Sequence, residues 1–205
     1  MNRSGDTGTG NTDGALRKVI GIVAVLNFAY FGVELAVALA IGSVSLFADS
    51  ADFLEDAALN LLIFTVLAWS AQRRARVGMA LSAILLVPAL AMLWALWGKF
   101  AHPSVPEPLT LGITGLGALV VNFSCAFALS RYRHHRGSLT TAAFLSARND
   151  VLANVAIIGA SIVTAFQPSI WPDVIVGLGI ACMNVDAAKE VWTAARAERR
   201  NFDDA

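Results

Sequence analysis

Four acidic residues stand close together in an otherwise apolar stretch: LFADSADFLEDAALNLLIFTVLAWS holds Asp49, Asp52, Glu55 and Asp56. Wound as a helix at about 100° per residue, this stretch places Asp49, Asp52 and Asp56 within about 60° of one face, with Glu55 about 100° away from Asp56. A second stretch, SLTTAAFLSARNDVLANVAIIGASIVTAF, supplies Ser146, Arg148, Asn149, Asp150 and Asn154. Ser146, Asp150 and Asn154 are spaced by four and share a face. Carboxylate and hydroxyl oxygens are hard donors that suit divalent cations. Carboxylates gathered in an apolar setting cannot all stay ionised without a counter-charge, because desolvation and like-charge repulsion both penalise the charged form. Either protons or a metal ion must neutralise them. A site that takes a divalent cation when bare and gives it up when protons arrive performs proton–metal exchange.

The elements that position these residues follow from composition. Hydrophobic residues make up 57% of the 205-residue chain and charged residues 15%, against about a quarter charged in a soluble domain. Six apolar segments run roughly over 16–40, 46–70, 78–98, 109–130, 139–165 and 170–194, and each reaches the ~20 residues that cross a hydrocarbon core of about 30 Å. The expected fold class is an all-α membrane protein of six transmembrane helices. An acid at a helix centre costs roughly 2.5–3.5 kcal/mol on the insertion scale, so the second helix persists only if its carboxylates face protein or water. Counted at 1.5 Å per residue, Asp52 lies about 9 Å and Asp56 about 15 Å below Leu46, while Ser146 lies about 12 Å and Asp150 about 18 Å above Ser138. The expected layers at mid-depth are therefore Asp52 with Asp150 and Asp56 with Ser146.

Basic residues orient the helices. Arg3, Arg17 and Lys18 precede the first; Arg73, Arg74 and Arg76 follow the second; Arg131, Arg133 and Arg136 follow the fourth; Lys189, Arg196, Arg199 and Arg200 close the chain, and the opposite loops hold only Lys99. Positive charge concentrates in cytoplasmic loops, so both termini are expected in the cytoplasm. Trp69, Trp94, Trp97, Trp171 and Trp192 fall near segment ends, where interfacial aromatic belts form. Residues 1–14 read as a disordered tail and not as a cleaved signal peptide, 15–195 as the transmembrane domain, and 196–205 as a short charged tail too small to fold alone. Cys125 and Cys182 each lie in an apolar block, which excludes a disulfide framework and a cysteine metal cage. No basic tail invites nucleic acid, and no nucleophile–base pair or histidine cluster suggests an enzyme.

At these residues the sequence resembles the cation diffusion facilitator (cation efflux) family. GSVSLFADSADFLED is similar to the family's second-helix motif, with ligand positions on Asp52 and Asp56. SARNDVLAN is similar to its fifth-helix motif and gives Ser146, Asp150 and Asn154. LNFAYFGVE in the first helix supplies Asn27 and Glu34; Asn122 in the fourth and Asp173 in WPD at the start of the sixth complete the likeness, which covers residues 16–195. The resemblance implies an exporter of divalent cations such as zinc, manganese or cobalt, and the carboxylates imply that it exchanges them for protons. The metal ligands it implies are Asp52, Asp56, Asp150 and Ser146. Asn27, Glu34, Asp49, Glu55, Asn122, Arg148, Asn149, Asn154 and Asp173 are then supporting or structural residues.

The sequence departs from the family's pattern at three places. It is read as a short form without the cytoplasmic metal-binding domain that usually follows the sixth helix. Ser146 stands where His or Asp is usual, and the histidine-rich loop shrinks to His134 and His135 in RYRHHRG. Arg148 is expected to pair with a buried acid such as Glu55, or to mimic the cation and disable the site. The alternative function is a non-transporting membrane subunit whose buried acids and Arg148 fix helix packing or a partner. An organic-cation exporter would need more aromatic rings beside the acids than Phe53 and Phe144. The expected associates are the metal cation, protons, the lipid bilayer of the plasma (inner) membrane and a second copy in a homodimer, with no resident cofactor.

Overall fold

The computed structural model describes residues 14–64, 92–131 and 147–183 in full, and 7–13, 65–66 and 138–146 as helical backbone. Six helical segments and no strand occur among the described residues: α1 (Thr7–Ile41), α2 (Val44–Val66), α3 (92–101), α4 (Pro108–Ser130), α5 (Ser138–Phe166) and α6 (Trp171–Met183). Three are long and apolar enough to cross a membrane, over Gly14–Ile41, Pro108–Ser130 and Ala147–Phe166, and Trp171–Met183 is apolar but shorter. α2 has 23 residues, a spanning length, but its four acids interrupt the apolar run. Trp69, Trp192, His134, His135 and the basic residues beyond Arg131 in the fourth loop and at the chain end lie outside the described residues, as do the early part of the third apolar segment and the late part of the sixth. α1 begins at Thr7, inside the stretch expected to be a structureless tail. Once a long apolar helix has met the cost of nucleation, adding turns to its end is cheap.

α1 and α2 form a hairpin. Gly42 takes φ +65°, and the Ser43 amide donates back to the Ala38 carbonyl at 3.0 Å, so α1 ends in a left-handed glycine cap that satisfies a terminal carbonyl. Ser43 then caps α2, its Oγ accepting from the Leu46 amide at 3.2 Å. α4 is capped by Glu107, whose carboxylate accepts from the Leu109 and Thr110 amides; the Thr110 side chain foremost, and then these amide bonds, hold the exposed carboxyl below the ordinary glutamate range.

Packing joins α1 to α2 and α4 to α5, with α1 also touching α4 and α2 touching α5. Two apolar clusters mark the two ends of this four-helix group. One gathers Ala38, Val44, Leu46, Ala48, Leu111, Ala153, Ile157 and Val174; the other gathers Leu16, Ile20, Val23, Ile63, Cys125, Leu129 and Ala147. The start of α2 therefore lies beside the later turns of α5, and its end beside the earlier turns, so the two helices run antiparallel. α4 and α5 approach closely: a methyl on Gly115 would stand 2.9 Å from the Ile157 Cγ2, the small-residue contact by which helices pack without a hydrophobic drive from water. Large apolar side chains such as Phe28, Leu39, Phe123, Phe127, Leu152 and Ile162 point outward, as a lipid-facing surface requires. Trp94, Trp97 and Trp171 are also exposed, on α3 and at the start of α6. Between the two apolar clusters lies a polar layer.

Candidate carboxylate site

The polar layer is built from the face of α2 that the sequence picks out. Asp49, Asp52 and Asp56 are all buried, while Glu55, off that face, is only partly so. From α5, Asp150 enters the same layer at 9% exposure. Its carboxyl lies within hydrogen-bonding reach of Asp56 and within electrostatic range of Asp52 and Asp49. Asp150 thus comes within hydrogen-bonding reach of Asp56, the residue expected to lie level with Ser146, and within range of Asp52 as well. The reason is length. α5 has 29 residues, about 43 Å at 1.5 Å per residue, so its first turns extend beyond a core of about 30 Å and Ser138 does not mark the membrane boundary.

The backbone around the two facing aspartates is arranged alike on both helices. Asn60 donates its Nδ2 to the Asp56 carbonyl at 2.8 Å, and Asn154 donates its Nδ2 to the Asp150 carbonyl at 2.7 Å. Each asparagine is buried, and each keeps an Oδ1 that meets no donor among the described residues. Asn154 was expected to support the site and Asn60 was not; the signal was present, because Asp56-x-x-x-Asn60 repeats the spacing of Asp150-x-x-x-Asn154. Two further amides border the layer. Asn27 on α1 is buried and lies 3.9 Å from the Cys125 Sγ of α4, and Asn122 on α4 is buried one turn from Cys125.

The side chain of Ser146 lies outside the described residues. Among the described residues, no three His, Cys, Asp or Glu side chains converge as a closed metal cage. Arg148 is exposed, Asn149 half-buried, and no Arg148–Glu55 ion pair forms among the described residues. The expected pairing fails because Arg148 follows the turn of α5 opposite to Asp150, and its long stem lets the guanidinium reach out of the apolar interior. Arg148 therefore does not occupy the carboxylate layer as a substitute cation.

Glu34 and Asp49 sit apart from the facing aspartates. Both are fully buried, and their carboxyls lie within hydrogen-bonding reach of each other. Asp173 is placed elsewhere again. From α6 it accepts from Ser43 Oγ at 2.7 Å, the Val44 amide at 2.8 Å, the Ser45 amide at 3.0 Å and Ser45 Oγ at 2.7 Å. Lys99 of α3 approaches the same carboxylate at 3.4 Å and donates to the Gly42 carbonyl at 2.6 Å. Asp173 is thus a second cap on α2, supplied by a distant helix, and its charge complements the positive end of the helix dipole. Lys99, Ser43 and Ser45 were not foreseen in this role.

The chain matches the model of the cation efflux transmembrane domain over residues 20–195. A search of curated proteins finds no match.

Proposed function

The chain belongs to the cation efflux family of membrane metal-cation transporters, which are not enzymes, and from that premise we propose that it exports divalent metal cations in exchange for protons through the carboxylates of Asp52, Asp56 and Asp150. Zinc, manganese, cobalt and ions like them are the cargo. The observation that carries this reading is the meeting of Asp56 and Asp150: two buried carboxyls face each other from antiparallel helices, with Asp52 on the same face of α2. Such an arrangement needs a positive charge between its members. A divalent cation and protons are the two charges that can alternate there, which makes binding of one release the other. Ser146, one turn before Asp150 on α5, is the proposed fourth donor.

The positive-inside distribution supports cytoplasmic termini; a plasma (inner) membrane location and a homodimer complete the proposal. The competing reading, a subunit whose acids and Arg148 fix packing, draws no support from an exposed Arg148.

Metal binding to purified protein tests the proposal. Zinc or manganese should bind the wild type with an affinity that rises with pH, since the ligands must be bare. Asp150→Ala should stay folded in the membrane and lose that binding together with metal-driven proton flux in proteoliposomes. Normal metal uptake by Asp150→Ala would sink the reading.

A further inference from the structure

The charges beside the hairpin of α1 and α2 do not balance. Glu34 and Asp49 are each 0% exposed, stand within hydrogen-bonding reach of one another, and none of their four carboxyl oxygens meets a donor among the described residues. Two ionised carboxylates are both acceptors, so only a hydrogen carried by one of them can join the pair. Two nearby hydroxyls are committed elsewhere. Tyr30, one turn before Glu34, gives its hydroxyl to the Thr114 carbonyl at 2.7 Å, and Ser50 gives its own to the Phe47 carbonyl at 2.8 Å. Lys99, the buried cation among the described residues, is held by Gly42 and Asp173.

We propose that Glu34 and Asp49 share one proton, and that this pair carries a proton exchanged for the metal ion at a place separate from the metal ligands; the inference rests on the transport reading above. The charged and titratable groups that face the pair are Tyr30 on α1, Asp52 and Asp56 on α2, and Asp150 on α5; α4 presents the Thr114 region without a charge, and Asp173 on α6 is held in the α2 cap. Coupling to the metal runs through space. Asp49 lies within electrostatic range of Asp56 and Asp150, and Glu34 within range of Asp52. In an interior of low effective dielectric, a divalent cation among the aspartates removes much of the penalty for a second negative charge on the pair. Its proton then departs to water, taking the pair from one negative charge to two as the site gains two positive charges. When the cation leaves, the second charge becomes costly again and the proton returns.

Glu34→Gln and Asp49→Asn are the decisive variants, because an amide donates the hydrogen bond that the shared proton provides and cannot give that hydrogen up. Full-length protein is reconstituted with an internal pH dye, and zinc flux, proton flux and zinc affinity are measured across pH. Both variants should bind zinc and release fewer protons per metal. The slope of log affinity against pH should fall by about one, and the double variant should lose no more than either single one, since the proton is shared. Zinc binding to the wild type should also remove an infrared C=O band of a protonated carboxyl that the Glu34→Gln protein lacks. Unchanged proton release and slope, an equal infrared band in both proteins, or loss of zinc binding altogether overturns the proposal. Absence of zinc binding in the wild type instead overturns the transport reading beneath it.

Discussion

Asp173 offers the most quantitative check on how this fold holds its site. Replacing it with alanine removes the acceptor for two serine hydroxyls, the Val44 and Ser45 amides and Lys99. The hydroxyls can turn, Ser43 and Ser45 Oγ already lying 3.3 Å apart, so they contribute little to the loss. The two amides cannot turn, and a buried donor left unmet costs about 1–3 kcal/mol. Removing one partner of a buried ion pair costs about 3–5 kcal/mol, a range whose low end applies here because Lys99 keeps the Gly42 carbonyl. These terms overlap in one network, so the expected loss for Asp173→Ala is on the order of 4 kcal/mol and for Asp173→Asn about 2 kcal/mol. Reversible unfolding in mixed detergent micelles measures both, and the cycle with Lys99→Met isolates the pair. The cap lies about 12 Å along α2 from Asp52 at 1.5 Å per residue, so Asp173→Asn should still bind metal measurably. A loss under about 1 kcal/mol for Asp173→Ala would refute the clasp. Equal loss of metal binding in Asp173→Asn and Asp56→Asn would show that Asp173 belongs to the ion's own site.

The other predictions are shorter. A methyl on Gly177 would stand 2.9 Å from the Val44 backbone carbon, so Gly177→Ala should cost about 1–3 kcal/mol, whereas Gly179→Ala, with nothing within 4 Å of its added carbon, should leave melting unchanged or raise it. Ser146→His supplies a nitrogen ligand to a set of oxygen donors and should raise zinc affinity relative to manganese; an unchanged ratio in competition binding would mean that Ser146 does not face the ion. A reporter fused after Ala205 should behave as cytoplasmic, and external activity would overturn the orientation drawn from the basic residues.

The part of the site legible in the sequence was the part set by helical period. Asp49, Asp52 and Asp56 share a buried face because the angle between them depends on α2 alone, and Glu55 falls off that face for the same reason. The pairing across helices was not legible, because it depends on how far α5 extends past the membrane core, and no feature within α5 marks that boundary. Arg148 was expected to turn towards a buried acid such as Glu55, and its exposure on α5 instead follows from a stem long enough to carry the charge outward. The cap from Asp173 was invisible for a different reason: 130 residues separate it from Ser43, and only the folded chain brings them together. Asn60 could have been found, since it repeats the spacing that drew attention to Asn154.

That repeat has a consequence that comes from the opposed directions of α2 and α5. On each helix the asparagine follows its aspartate by one turn, about 6 Å along the axis. Because the helices are antiparallel, the same step leads one way from Asp56 to Asn60 and the other way from Asp150 to Asn154. The facing pair of aspartates is therefore flanked on both sides by a neutral amide oxygen that meets no donor among the described residues. A cation leaving Asp56 and Asp150 towards the end of α2 meets the Asn60 amide oxygen, whereas towards the start of α2 it meets Asn154 together with the buried acids Asp52 and Asp49, so two helices that share one five-residue spacing give the layer a neutral exit and an acidic one.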